Sequence, residues 1–197
     1  MSNSYQYLDP DFVYTEPQTG VLRNLAGITD HEALVFLESV TVTSRIQQLH
    51  IKPIEISGIM SLYKIHEFLF QDIYDWAGKR RKVEISKDGK QFFPISRFDS
   101  AHIYADRLID EYKAISVNDK IGIAKKLAEV LDTINYLHPF REGNGRAQRE
   151  FIRLLAHEKG YLLHLNPPDD KTVYERYMHG TIQSDLNSLY ELIFDLL

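Results

Sequence analysis

The chain has 197 residues, 44% hydrophobic, 26% charged and 12% aromatic, with a formal net charge of −5 and no cysteine. That length suits one compact domain burying about 70% of the surface its unfolded chain exposes, and argues against a second full domain. The acidic balance argues against a broad nucleic-acid surface; the missing cysteines exclude disulfides, thiolate metal sites and a thiol nucleophile; no apolar run approaches the ~20 residues of a membrane span, and MSNSYQYLDPDF has no signal-like character, so a cytoplasmic protein is expected.

Residues 1–28 hold Pro10, Pro17 and Gly20 without a sustained period, which predicts an irregular lead-in docked on the surface by Tyr5, Tyr7, Phe12 and Tyr14. Thr29 and Asp30 are N-cap types ahead of Leu34, Leu37, Ile46 and Leu49, a helical spacing that runs to about His50 despite the β-branched stretch Val40, Thr41, Val42 and Thr43. After Pro53, Ile59, Leu62, Tyr63, Phe70, Ile73 and Trp76 recur at helical spacing until Gly78. The period then changes: residues 82–86 and 91–93 read as short strands around Asp88-Gly89, a dipeptide suited to the positive φ of a hairpin turn. Helical spacing returns over 99–114, 119–137, 146–159, 171–178 and 185–196, with Pro167-Pro168 setting the last two apart. No repeat is present, so the expected class is all-α: one domain over 1–197, a helical bundle with a small β-hairpin at 82–93.

Between the helices ending near Leu137 and starting near Arg146 lies HPFREGNGR, followed by AQR. Gly143 and Gly145 permit close backbone approach, so successive N–H groups can turn toward one anion, and the next helix adds its unpaired amides and positive dipole end. Arg146 and Arg149, three apart, share a helix face from which two guanidinium groups can grip phosphates. Glu142 is a hard oxygen ligand suited to Mg²⁺, the usual companion of a nucleoside triphosphate, and Asn144 can donate or accept beside the same anion. His138 precedes this cradle, where an imidazole can take a proton from an incoming hydroxyl. Singly, each residue is more often a turn former, cap or solvated side chain; their joint order at fixed spacing sets them apart.

HPFREGNGRAQR resembles, without a mismatch, the Fic-domain signature, and TGVLRNLAGITD, LFQDIYDWAG and the terminal helix look like the same family, so the resemblance spans most of residues 14–197. It implies a Fic fold that transfers AMP from ATP to a Ser, Thr or Tyr hydroxyl of a target protein, releasing pyrophosphate. His138 would be the base, Glu142 the Mg²⁺ ligand, the amides around Gly143 and Gly145 the anion hole, Asn144 the α-phosphate contact, and Arg146 and Arg149 the clamps on the outer phosphates. The related Doc kinases carry Lys where this chain has Gly145, so the resemblance favors AMP transfer. In Fic proteins a hairpin flap pairs with an extended target segment; Lys82, Val83, Glu84, Ile85 and Ser86 would be its docking strand. Alternatives are transfer of UMP, phosphocholine or phosphate on the same scaffold, or a catalytically silent nucleotide- or protein-binding module.

Many Fic enzymes carry an inhibitory helix with Ser or Thr, three residues, Glu, then Gly or Asn. That spacing is absent here, Ser188 to Glu191 being one residue short. The chain thus resembles stand-alone bacterial Fic toxins, which implies a separate antitoxin-like protein supplying a Glu to Arg149 and makes type II topoisomerase subunits candidate targets. Tyr174 and Tyr177 are candidates for stacking on adenine, with core packing the commoner role for aromatics at helical spacing. A zinc motif starting at His157-Glu158 fails because Tyr161 takes the second His position. His31, His50, His66, His102 and His179 receive no role, and Lys79-Arg80-Arg81-Lys82 reads as a positive patch beside the flap.

Overall fold

The computed structural model describes residues 5–87 and 89–197, the first four of them as backbone only. Strand β1 (Tyr5–Leu8) is followed by helices α1 (His31–Ile51) and α2 (Met60–Phe70), strands β2 (Glu84–Lys87) and β3 (Lys90–Gln91), and helices α3 (Phe98–Ala114), α4 (Lys120–Leu137), α5 (Asn144–Glu158), α6 (Lys171–Gln183) and α7 (Leu186–Leu196). The all-α expectation holds. No helix among the described residues is long and apolar enough to cross a membrane.

Four of the described helices, α1, α4, α6 and α7, begin at aspartate caps. Asp30, Asp119, Asp170 and Asp185 each accept a first-turn amide, satisfying donors that have no partner inside the helix. Central α4 packs against α3, α5 and α7, while α2 packs on α5 and α1 on α2. Its inward stripe, Ile123, Leu127, Leu131 and Ile134, is fully buried, with Ala124 and Ala128 admitting close neighbors. Truncating one of these large residues to Ala costs about 2–5 kcal/mol, so the floor of the site is a well-packed platform.

Two expectations change. The helix predicted through Trp76 stops at Phe70, although Ile73, Tyr74 and Trp76 remain buried. The Phe70 carbonyl accepts from both Ile73 and Tyr74, and the chain folds back so that the Gly78 N–H meets His66 Nδ1 at 2.9 Å. Gly78 has φ 71, and a Cβ there would lie 2.6 Å from Glu67 Cβ. Apolar spacing was therefore preserved by a turn that sits in the core, which periodicity alone cannot tell from a helix.

The second change concerns the lead-in. Residues 5–8 form a strand, so 1–28 is not irregular throughout, and the hairpin belongs to a three-stranded antiparallel sheet of order β1-β2-β3. Tyr5 pairs with Lys87 and Leu8 with Glu84 across one side of β2, while Ser86 pairs with Gln91 and Lys87 with Lys90 across the other. Docking of the lead-in holds at Tyr14, which is buried edge-on against Trp76 and whose hydroxyl accepts the Lys82 N–H at 3.0 Å. Of the predicted turn pair, Gly89 has φ 79, whereas Asp88 lies outside the described residues.

Candidate active site

Helix α4 ends at His138, which adopts a left-handed conformation (φ 45, ψ 60) and turns the chain into the loop before α5. Its ring nitrogen Nδ1 lies 3.3 Å from the Asn135 carbonyl. A carbonyl only accepts, so Nδ1 carries the hydrogen and the basic lone pair belongs to Nε2. The ring stacks on Phe92 of the flap at 3.8 Å. Burial, the Asn135 contact notwithstanding, pushes the pKa of His138 down to about 3, with the positive Arg81 and Lys87 acting in the same direction. The imidazole is therefore neutral, the form a general base needs.

The loop after His138 is shaped by buried partners. Asn144 Oδ1 accepts the Phe140 N–H at 2.9 Å and its Nδ2 donates to the Phe140 carbonyl at 2.8 Å. Asn144 is thus turned into the loop it staples, not toward the cavity where an anion contact was expected, because a buried amide must find partners. His66 Nδ1 accepts from Gly78, so Nε2–H donates to the Glu142 carbonyl at 2.9 Å, and the ring stacks on Phe140 at 3.7 Å. Burial pushes this histidine also down to about 3. Gly143, with φ 81, caps α5, and a Cβ there would strike the Phe70 ring at 2.4 Å. Any other residue type would be strained at this φ and would have to displace the Phe70 ring.

The charged groups converge on one cavity of about 880 Å³, lined by His138, Glu142, Gly143, Gly145, Arg146, Arg149, Tyr174 and Tyr177 together with Lys87, Lys90, Gln91 and Phe92. Glu142 Oε1 accepts the Gly143 N–H at 2.9 Å and sits 3.5 Å from Arg146 Nη2. Arg146 lies over the Phe70 ring and donates through Nη1 to Glu38 Oε2 at 2.8 Å. Arg149 lies 5.4 Å from the centers of both Tyr174 and Tyr177. Tyr177 is buried and packs in the core, as expected for an aromatic at helical spacing, while Tyr174 is half-buried, and both rings wall the cavity. A Cβ at Gly145 would lie 3.3 Å from Arg149 Nη1, so any side chain there would project between the arginine and the tyrosines.

Among the described residues, no carboxylate pairs with Arg149 and no three His, Asp or Glu side chains are grouped to hold a metal. Mg²⁺ usually keeps its waters and takes one or two carboxylates plus substrate phosphates, so a lone Glu142 on the cavity wall fits such an ion.

Three participants escaped the sequence. Glu38, buried on α1, holds Arg146 and accepts the Tyr74 hydroxyl at 2.7 Å. His66 supports the loop as described. Arg81, read as part of a surface patch, is fully buried: its Nε donates to the His138 carbonyl at 2.9 Å, its Nη1 to the Val83 carbonyl and Glu84, and its Nη2 to the Phe93 carbonyl. Its backbone N–H donates to the Pro139 carbonyl at 2.7 Å. One guanidinium therefore ties both limbs of the flap to the loop before α5. The only sequence signal was a charged residue close to strong apolar spacing.

Of the predicted docking strand, Glu84, Ile85 and Ser86 lie in β2, and Lys82 and Val83 precede it. Ile85 and Val83 are buried, and none of residues 82–86 lines the cavity.

A family model described as the Fic/DOC family matches residues 59–156. The chain is similar to protein adenylyltransferase VbhT of Bartonella schoenbuchensis, 38% identical over 151 residues that make up 75% of this chain and 31% of that protein. It thus spans under a third of VbhT. A probable protein adenylyltransferase, y4lH of Sinorhizobium fredii, is 30% identical over 91% of each chain, and the probable protein adenylyltransferase Fic of Escherichia coli is 31% identical over 76% of this chain and 74% of that one. Among solved structures, BepC of Bartonella tribocorum with bound AMPPNP superposes with a TM-score of 0.78 at 21% identity, covering 93% of this chain and 95% of that one. A Fic domain from Bartonella quintana with bound ADP gives 0.80 at 21% identity and 93% of each. At such identities the likeness establishes the fold.

Proposed function

The chain belongs to the Fic/DOC family, and on that footing we propose that it is a protein adenylyltransferase that moves AMP from ATP to a hydroxyl side chain of a target protein and releases pyrophosphate. One observation carries the reading: a neutral His138 with its basic Nε2 shares a cavity with Arg146, Arg149 and the amino end of α5. The target oxygen attacks the α-phosphorus as the bond to the β-phosphate oxygen breaks, and the hydroxyl proton passes to His138 Nε2. Arg146 and Arg149 hold the outer phosphates, and the amides of Gly143 and Gly145 face the developing charge. Tyr174 walls the nucleotide's side of the cavity, with Tyr177 behind it in the core.

Glu142 would hold Mg²⁺, whose charge supports the triphosphate when bound. Its Oε1 accepts the Gly143 N–H, which holds the carboxylate on the cavity wall beside the amino end of α5. Arg149, lacking a carboxylate partner within the described residues, suits capture by a Glu from a separate antitoxin-like protein. Such a chain would act in the cytoplasm, where ATP and candidate targets such as type II topoisomerase subunits meet.

Incubating the enzyme with a bacterial lysate and α-labeled ATP, labeled UTP or labeled CDP-choline, with and without Mg²⁺, tests the reaction. Label from ATP alone, as one adenylyl group per modified site in intact-mass spectra, is expected. Protein-bound UMP, phosphocholine or a bare phosphoryl group in its place refutes AMP transfer.

A further inference from the structure

Another cavity, of about 560 Å³, opens between α3 and the carboxyl half of α4, and Tyr136 and Ser184 line both it and the cavity that holds His138. Phe93, Tyr104 and Tyr136 wall it, and Asp132 is the one charged residue among the described residues that line it. Both tyrosines are exposed. Aromatic faces attract cations, and two of these rings already do so: Arg107 lies 4.9 Å from the center of Tyr104 and Arg97 lies 5.7 Å from that of Phe93. Both arginines are exposed, and Arg107 pairs with Glu111, not with Asp132. Asp132 is half-buried, and its Oδ1 is closed to water and meets no donor. An oxygen left in that state costs free energy unless something supplies a hydrogen bond. Burial raises the pKa of Asp132, and the Ser184 hydroxyl offsets only part of that rise.

We propose that this cavity receives a lysine or arginine side chain of the target protein, so that the enzyme selects hydroxyls with a basic residue nearby. The proposal rests on the adenylyltransferase reading and specifies the substrate of that same reaction. A long apolar stem with a cationic head matches the lining: the stem lies along the aromatic walls, and the head meets Asp132, with the Thr133 and Ser184 hydroxyls as further acceptors. The terminal torsion of an aspartate is broad, so rotation brings either carboxylate oxygen to the cavity side. A neutral side chain leaves Asp132 unpaired and an acidic one is repelled, which makes the same group a filter. The position of the basic residue follows from the helix. Asp132 stands six positions ahead of His138, about 9 Å of rise along α4, and an extended chain advances about 3.4 Å per residue. The basic residue accordingly lies about two to four positions from the acceptor hydroxyl.

Transfer from α-labeled ATP to lysate proteins is compared for wild type, Asp132→Asn and Asp132→Lys, and the modified sites are mapped by peptide mass spectrometry. Wild-type sites are expected to be enriched in Lys or Arg within about four positions of the modified hydroxyl. Asp132→Asn keeps the shape and removes the charge, so labeling should fall about tenfold and the enrichment should vanish. Asp132→Lys should move the modified sites toward Asp and Glu neighbors. ATP should raise the melting temperature of both variants as much as that of wild type, because Asp132 does not line the cavity of His138. Asp132→Asn should itself melt no lower than wild type, since it removes an unpaired charge. Undiminished labeling by Asp132→Asn, or wild-type sites without basic neighbors, would overturn the proposal. So would a fall in labeling that leaves the choice of sites unaltered, the outcome expected of a carboxylate that only supports the fold. If Asp132→Lys does not fold, Asp132→Asn decides the matter. A wild-type enzyme that labels nothing sinks the adenylyltransferase reading itself, whereas an active wild type indifferent to Asp132 removes only the role of this cavity.

Discussion

The loop 138–144 and the flap 84–93 wall the same cavity but are built on opposite terms. The loop is pinned by buried donors and acceptors from three separate parts of the chain: His66 on the Glu142 carbonyl, Asn144 twice on Phe140, and Arg81 on the carbonyls of His138 and Pro139. The flap has a two-residue strand with both side chains exposed, and is attached by the Arg81 guanidinium, the four-residue brace of β1, the Phe93 N–H on the Tyr136 carbonyl and the Phe92 ring on His138. Atoms that react must be held to a fraction of an ångström, whereas an edge that recruits another backbone has to stay uncovered. Rigidity and openness are thus divided between adjacent segments, and Arg81 is the side chain common to both.

The largest effect should come from the rigid side. His138→Ala is expected to lower the transfer rate about 10²–10⁴-fold while ATP still raises the melting temperature, since Arg146 and Arg149, the groups proposed to hold the phosphates, remain on the cavity wall. Ordinary turnover in that variant would show that the loop is pinned for some other purpose. Arg81→Ala tests the shared anchor: the carbonyls of Val83, Phe93 and His138, buried or half-buried, lose a donor. A loss of at least about 3 kcal/mol in urea unfolding is expected. The neighboring Arg80, exposed and paired with exposed Asp99, should cost no more than about 0.5 kcal/mol when changed to Ala. Equal costs would erase the distinction between anchor and surface patch.

The same division explains what the sequence disclosed. Residues 138–149 stood out as a candidate site because the proposed base, metal ligand, bend and clamps fall within twelve consecutive positions, and the structure brings His138, Glu142, Arg146 and Arg149 to one cavity; the capped helices were legible because their signals are local. β1 was missed because a four-residue strand whose partner lies about eighty positions away has no turn to announce it. Glu38 and Arg81 act through contacts spanning 108 and 57 positions. Neither spacing nor composition carries such a distance. Asn144 shows the converse limit: its place in the motif was plain, but the structure turns it to Phe140.

Acid separates the two regions further. His66 and His138 are both held near 3 by burial, against 6.5 for an ordinary imidazole. Between those values the unfolded chain binds protons that the folded chain refuses. Their contribution to stability is therefore complete above about pH 6.5 and is lost as pH falls toward 3, at up to about 1.4 kcal/mol per pH unit for each histidine. Urea midpoints from pH 7 to 5 should fall accordingly, and a flat profile would contradict two buried neutral rings. His66→Gln should make the slope shallower.

The smallest effect is the most discriminating, because it asks whether the rigid side extends beyond the loop. Glu38 reaches from α1 with one oxygen on Arg146 and the other on Tyr74, and Arg146 has its flat face on Phe70. A guanidinium held at one edge by a buried carboxylate keeps its other donors in a fixed direction for phosphate. Glu38→Gln preserves shape and an acceptor for Tyr74, but then places an amide donor against the arginine's donors. Arg146 should swing free, and the loss of one charge-assisted contact, about 1–2 kcal/mol, corresponds to roughly a 5- to 30-fold rise in KM for ATP with kcat little changed. That split is the opposite of the one expected for His138→Ala. A fall in KM would mean that Glu38 withholds the arginine from the nucleotide, making α1 a restraint on the site and not part of its frame.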